Sequence, residues 1–217
     1  MTELQNQIIE NAKTYVRDLM KNESSGHDYF HANRVLNTAL LLAKEEGADG
    51  FTVSLAALLH DADDRKLSPE TYQNKDRAAA FLRKNGVEET KIRDILTIIE
   101  QVSYKGTDTV APDTVEGKCV QDADRLDALG AIGIARTFAY GGSRGRQMHD
   151  PEVLPKTEMT EEEYRKSDST SLNHFYEKLF KLKALMNTAA AKRLAAKRED
   201  YMKAFVTEFI EEWNGIK

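Results

Sequence analysis

Apolar residues recur at spacings of three and four from Glu3 to Lys21, through Leu4, Ile8, Ala12, Tyr15, Val16 and Leu19. That is the period of an amphipathic helix. Asn22 to Gly26 has the composition of a turn, with Ser25 placed to cap the next helix. That second helix is predicted from His27 to Glu46, presenting Phe30, Val35, Ala39, Leu42 and Ala43 and ended by Gly47 and Gly50. The next run, Val53-Ser54-Leu55-Ala56-Ala57-Leu58-Leu59, is apolar on every side and predicts a buried helix from about Thr52 to His60. Leu67-Ser68-Pro69 is a breaker. Amphipathic helices are then predicted over Lys75 to Lys84 and from about Glu88, the latter carrying Ile92, Ile95, Leu96 and Ile99.

Residues 103 to 116 form a polar connection. From Lys118 to Gly133 the small residues suit a closely packed helix, yet Asp122, Asp124 and Asp127 fall within it. Gly141 to Ser171 is the longest irregular stretch, and its opening Gly141-Gly142-Ser143-Arg144-Gly145-Arg146 suggests a mobile basic loop. Two further helices are predicted around Leu172 to Leu185 and from about Thr188 to Trp213. The period of two that marks strands is nearly absent, with Asp108 to Val115 the one weak candidate. The expectation is a single all-α domain over residues 1–217, its core at about 15–140 and its C-terminal helices at about 172–213 packed on that core.

Composition narrows the function classes. The chain has 217 residues, 41% hydrophobic and 31% charged, ordinary for one well-filled core. A formal net charge of -5 argues against nucleic acid as a partner, which would need a basic face. Cys119 is the only cysteine, so no internal disulfide forms and a reducing compartment fits. The polar opening Met1 to Asn6 lacks the apolar core of a secretory signal, and no run reaches membrane-span length. These features together point to the cytoplasm and to no membrane partner.

The buried helix ends in His60-Asp61. Buried carboxylates are costly unless paired or bound to a metal. The chain has five histidines and three precede an aspartate; His27-Asp28 and His149-Asp150 lie among Gly, Ser, Arg and Pro, so context selects His60-Asp61. Together with His31 and one aspartate of the 122–127 group, this pair makes a mixed nitrogen and oxygen site. Such a site suits one divalent transition ion, manganese first, with iron, nickel, cobalt and zinc accepted and magnesium less favoured. Four protein ligands leave two positions of an octahedral ion for water and substrate.

His31, His60-Asp61 and a distant Ala123-Asp124-Arg125-Leu126, in that order, resemble the HD-domain superfamily of metal-dependent phosphohydrolases. The stretches His27 to Val35, Gln121 to Phe138 and Asn173 to Leu179 look like a bacterial single-domain subgroup, some of whose members are nucleoside triphosphate pyrophosphohydrolases. The resemblance implies a helical HD fold with the metal in its core. It makes His31, His60, Asp61 and Asp124 the metal ligands; helical period alone does not choose Asp124 over Asp122 or Asp127. Asp127, on the face of Asp124, is in place to orient the site from behind.

Asp64 lies three residues after Asp61, and in related enzymes an acid there is assigned to the attacking water or the leaving group. On a continuing helix Asp63 would point about 100° away; the competing reading is a solvated Asp-Asp-Arg-Lys turn. His27 either lines the pocket and touches a phosphate oxygen, or packs at a helix start. Phosphate requires cations or backbone amides, and Arg34, Lys66, Arg144, Arg146 and Lys181 are the candidates, with Lys178 and Arg198 behind them. No P-loop pattern occurs. His174 reads as core or pocket wall. Tyr201, Phe205, Phe209 and Trp213 form a stripe that packs within the chain or against a second copy in a homodimer. The leading expectation is an enzyme that hydrolyses a phosphoanhydride or phosphoester bond of a nucleotide. Its rival is a non-catalytic HD module that binds a nucleotide or alarmone and signals to a partner.

Overall fold

A computed structural model of the chain describes residues 1–21, 28–63, 70–71, 73–102, 110–156, 158 and 169–217. His27, Asp64 and Lys66 lie outside the described residues, as do the suggested cap Ser25, the Leu67–Pro69 breaker and residues 157 and 159–168 of the long irregular stretch. Among the described residues every regular element is helical, which agrees with the near absence of strand periodicity. Residues 110–114 of the weak strand candidate are not strand, and a helix begins at Val115.

The chain forms two compact units, Met1–Tyr104 with Thr109–Asp124, and Lys105–Asp108 with Arg125–Lys217. The first unit is built around α3 (Gly50–Leu59), whose residues Phe51 to Leu59 are all buried. Helices α1 (Glu3–Leu19), α2 (Tyr29–Glu46) and α5 (Glu89–Val102) pack against α3, and α4 (Asp76–Lys84) packs on α5. A helix apolar all round needs neighbours on every side, so the residue run that stood out in the sequence becomes the centre of this unit.

Local chemistry sets the helix starts. Thr2 and Gln5 exchange side-chain to backbone hydrogen bonds in a capping box that opens α1. α2 begins two residues later than its period suggests, because Asp28 accepts from the His31 amide at 2.8 Å. Gly47 at φ 73° closes α2, and Asp49 caps α3 through the amides of Phe51 and Thr52. Gly50 is therefore the first residue of α3 and not only a breaker. α4 follows Lys75, a non-glycine residue at φ 54° with no side-chain cap of its own. Its cap comes from a distance: Asp63 accepts from the Arg77 amide at 3.1 Å and the Ala78 amide at 2.9 Å.

The aspartate-bearing stretch expected as one helix is two. α6 (Val115–Asp127) stops, and α7 (Gly130–Ser143) starts at Gly130 with φ 72°. In the second unit Arg198 fills the space beside Gly130, where a Cβ would lie 3.1 Å from its side chain. The Leu172–Leu185 prediction also divides, into α8 (Asn173–Glu177) and a 3-10 helix (Leu179–Leu185). α9 (Ala189–Trp213) is capped by Thr188 and packs on α7 and on the 3-10 helix. The core of this unit is aromatic: Phe138, Phe175, Phe205 and Phe209 lie with ring centroids 5.9–6.2 Å apart. Phe205 and Phe209 of the expected stripe on α9 are thus spent inside the unit, while Tyr201 stays 58% exposed and Trp213 46%.

Candidate metal centre

Three helices of the first unit bring His31, His60, Asp61 and Asp124 together. His31 projects from the first turn of α2, His60 caps the C-terminus of α3, and Asp124 comes from α6. Nε2 of His31 lies 3.3 Å from Nε2 of His60. The Asp61 carboxylate is 3.5 Å from the first and 3.2 Å from the second, and the Asp124 carboxylate is 3.4 Å and 3.9 Å away. One donor atom each of His31, His60 and Asp124 falls within 4.8 Å of the others, and Asp61 touches both imidazoles from its own side.

Burial and hydrogen bonding prepare these groups. His31 is 1% exposed and Asp61 7%, while Asp124 is partly open. α3 ends where the His60 ring turns back and donates from Nδ1 to the Ala57 carbonyl at 2.8 Å, satisfying one of the acceptors a helix end leaves over. That bond fixes the tautomer and aims the Nε2 lone pair at the cluster. Burial disfavours a charged His60, but Asp61 foremost and then Asp124 outweigh it and push its pKa up to about 10. Burial likewise opposes the charge on Asp124, yet the hydrogen bond from His31 and the imidazole charges hold its carboxyl below the usual range.

The donor set fits a metal. Adjacent ligands bonded at about 2.1 Å to one ion stand about 3 Å apart, and the closest separations of 3.2–3.5 Å need only a small contraction. A proton held by His60 and a cation compete for the same lone pair. Two imidazoles with two carboxylates suit a divalent transition ion.

The other aspartates have different duties. Asp122 is fully buried on a different side of α6 from Asp124. The Asp127 carboxylate accepts from Arg136 at 2.7 Å, and the Arg136 guanidinium also reaches the Asp127 carbonyl. This pairing sits where α6 ends, and Arg198 donates to the Leu126 carbonyl beside it. Asp63 is committed to the α4 amides, and its role as a remote cap is what sequence reading missed; no local signal links it to residues 14 and 15 positions onward. Because α3 ends at Leu59, helical direction past His60 does not determine where Asp64 points.

Of the cationic candidates, Arg34 is half-buried on α2, one turn beyond His31. Arg144, Arg146 and Lys181 belong to the second unit. The segment expected as a mobile loop is helical through Ser143. Arg144 is exposed at the end of α7 against the Tyr140 ring, and Arg146 is bonded through its amide to the Gly141 carbonyl at 2.8 Å. Lys181 is half-buried in the 3-10 helix. No helix of the described residues is long and apolar enough to cross a membrane.

The model of the HD domain family matches residues 29–129, the segment that carries all four clustered side chains. YpgQ of Bacillus subtilis (strain 168) is 35% identical over 95% of this chain and 94% of its own length. The structure of YpgQ in complex with ADP aligns with a TM-score of 0.76 at 32% identity, covering 96% of this chain and 100% of that one. An HD-superfamily hydrolase from Bacillus thuringiensis is 44% identical with a TM-score of 0.78, over 97% of this chain and 98% of that one. A protein of Lactobacillus plantarum is 41% identical with a TM-score of 0.82, over 99% of both chains. Relatives this similar over nearly the whole length, and a family match on the segment holding His31, His60, Asp61 and Asp124, establish that this chain belongs to the HD-domain superfamily.

Proposed function

We propose that this chain is a divalent-metal-dependent phosphohydrolase acting on a nucleotide, with His31, His60, Asp61 and Asp124 as the metal ligands. The observation that carries the reading is the meeting of two imidazoles and two carboxylates from three helices at 3.2–3.9 Å. When bound, a divalent ion supplies Lewis-acid polarisation of a phosphoryl oxygen and activation of water. Manganese is the first choice for this mixed donor set, and iron, nickel, cobalt or zinc would also be held.

The chain's own residues supply the rest. His60, locked by its bond to the Ala57 carbonyl, keeps one nitrogen aimed at the ion. Asp61 and Asp124 balance its charge. Asp64, three residues beyond Asp61, is assigned to position the attacking water and take its proton, and His27 to serve a phosphate oxygen. Arg34 and Lys66 are assigned to phosphate, Arg34 on the strength of its place one turn past His31. A nucleotide substrate is favoured because the relative YpgQ was solved in complex with ADP. In the finer form, water attacks the α-phosphorus of a nucleoside triphosphate, the bond to the β-phosphate oxygen breaks, and monophosphate and pyrophosphate leave.

The test is a screen of manganese-loaded protein against nucleotides, with phosphate and pyrophosphate separated in the products. Turnover is expected, with Asp64→Asn keeping its metal and losing at least about a hundredfold in rate. Nucleotide binding with no turnover by metal-replete protein would replace the enzyme with a non-catalytic binding module. Full activity in Asp64→Asn would remove that residue from the mechanism.

A further inference from the structure

Phe30 is a large apolar side chain that the core of the first unit does not take in. Of the eight phenylalanines in the chain it alone is exposed, at 66%, and the other seven are buried or half-buried. A ring left in water forgoes the burial that stabilises the rest of its kind, so its place on the molecule matters. Phe30 stands in the first turn of α2, one residue before His31, and consecutive Cα atoms are about 3.8 Å apart. At about 100° per residue, Phe30 lies one such step from His31 around the helix. Arg34 falls between them, about 40° from Phe30 and one turn on. The exposed ring therefore shares a helix turn with a residue of the metal cluster.

A second observation concerns how that ring is held. The Tyr29 ring meets Phe30 edge to face, with centroids 5.6 Å apart and planes at 66°. Tyr29 is fixed in turn: it is half-buried, and the guanidinium of Arg17 on α1 lies 4.4 Å from its ring centroid, a cation-π contact. Among the described residues Tyr29 is the one aromatic partner of Phe30. A neighbour that meets a ring edge-on leaves a face of it uncovered, in agreement with the exposure of Phe30. Flat aromatic ligands cover such a face by offset stacking.

We propose that Phe30, braced by Tyr29, is the stacking platform for the base of the nucleotide. The first turn of α2 then serves both ends of the ligand, the phosphates through the metal that His31 helps to hold and the base through Phe30. This inference rests on the proposed nucleotide reading and goes further by naming what recognises the base and how. Stacking engages the π-face that every base has, and it calls for no hydrogen bond to a base edge. Purines and pyrimidines are therefore both accepted, purines more tightly because their rings cover more area. Phosphate compounds without a base gain nothing from Phe30.

The probes are ADP and inorganic pyrophosphate, each titrated calorimetrically into full-length manganese-loaded protein. Phe30→Ala is expected to weaken ADP binding about tenfold, the loss of one base–aromatic stack. Its pyrophosphate affinity and melting midpoint should stay at the wild-type values, because the ring removed is exposed. Phe30→Leu keeps an apolar side chain without the ring and should weaken ADP nearly as much. Trp213 is the only tryptophan of the chain, so Phe30→Trp adds a single reporter whose emission ADP should quench and pyrophosphate should not, with wild type supplying the Trp213 background. The proposal is overturned if wild type fails to bind ADP, if folded Phe30→Ala or Phe30→Leu binds it as wild type does, or if Phe30→Ala loses ADP and pyrophosphate alike. Sedimentation showing a wild-type dimer and a Phe30→Ala monomer would also overturn it, by giving the exposed ring to a second copy of the chain. Base-dependent binding through Phe30 without turnover of any nucleotide would count against the proposed hydrolysis alone. Turnover with ADP affinity unaltered in Phe30→Ala would count against the stacking platform alone.

Discussion

Replacing Asp63 tests whether a residue beside the proposed metal ligands is there for architecture. Its carboxylate is 1% exposed and holds the second and third amides of α4 at 3.1 and 2.9 Å. α4 has no cap from Lys75, so these are the bonds an N-cap side chain would make. Loss of an ordinary cap costs about 1 kcal/mol, within 0.5–2. Hydrogen bonds to a charged acceptor contribute about 1.5–3 kcal/mol each, and burial raises the penalty for an amide left unpaired. Asp63→Ala should therefore destabilise the protein by about 2–4 kcal/mol. Asp63→Asn keeps one acceptor but sets its NH2 against an amide donor, so about 1–3 kcal/mol is expected. Urea denaturation followed by circular dichroism measures the loss, and hydrogen exchange at the Arg77 and Ala78 amides should accelerate first. Metal content should be unchanged in Asp63→Asn, since the side chain is not in the cluster. A loss under about 0.5 kcal/mol in Asp63→Ala, or unaltered exchange in α4, would refute the reasoning.

Three further outcomes are expected. Asp61→Asn should abolish manganese uptake measured by elemental analysis, and wild-type affinity should climb with pH, because the metal displaces the proton that His60 otherwise retains. His174 has a folded pKa far below the unfolded value of about 6.5. The unfolded chain therefore binds the extra proton, and stability present above about pH 6.5 drains away as pH falls towards the folded value. The slope approaches about 1.4 kcal/mol per pH unit, and His174→Gln should show a shallower decline between about pH 6.5 and 4.5; an identical slope would mean that the ring titrates normally. In α7, Gly133→Ala would place its Cβ 2.2 Å from the Ala128 carbonyl oxygen and should lower the denaturation midpoint by an amount equivalent to about 1–3 kcal/mol. Gly142→Ala, with nothing within 4 Å, should not.

What the sequence determines by itself is local or carried by motif. Helical period located α1 to α5 and α9 to within a few residues, since burial of one face repeats every turn. The apolar run before His60 announced a buried helix, and the order of His31, His60-Asp61 and Ala123-Asp124 pointed to the superfamily. Residue type alone also set the donor chemistry of the cluster. Tertiary structure decided which groups meet. Asp122, Asp124 and Asp127 stand on one helix, but only the surroundings send Asp124 to the imidazoles and Asp127 to Arg136. The break between α6 and α7 depends on Gly130 and on Arg198 packing from far along the chain. Asp63 finds its partners across residues 14 and 15 positions away, and the amides of Ser171 and Leu172 find the carbonyls of Gln147 and Met148. Periodicity reports only which face of an element is buried. The identity of the neighbour on that face comes from chain segments that meet after folding, and hydrogen bonds and charges act only at that contact distance.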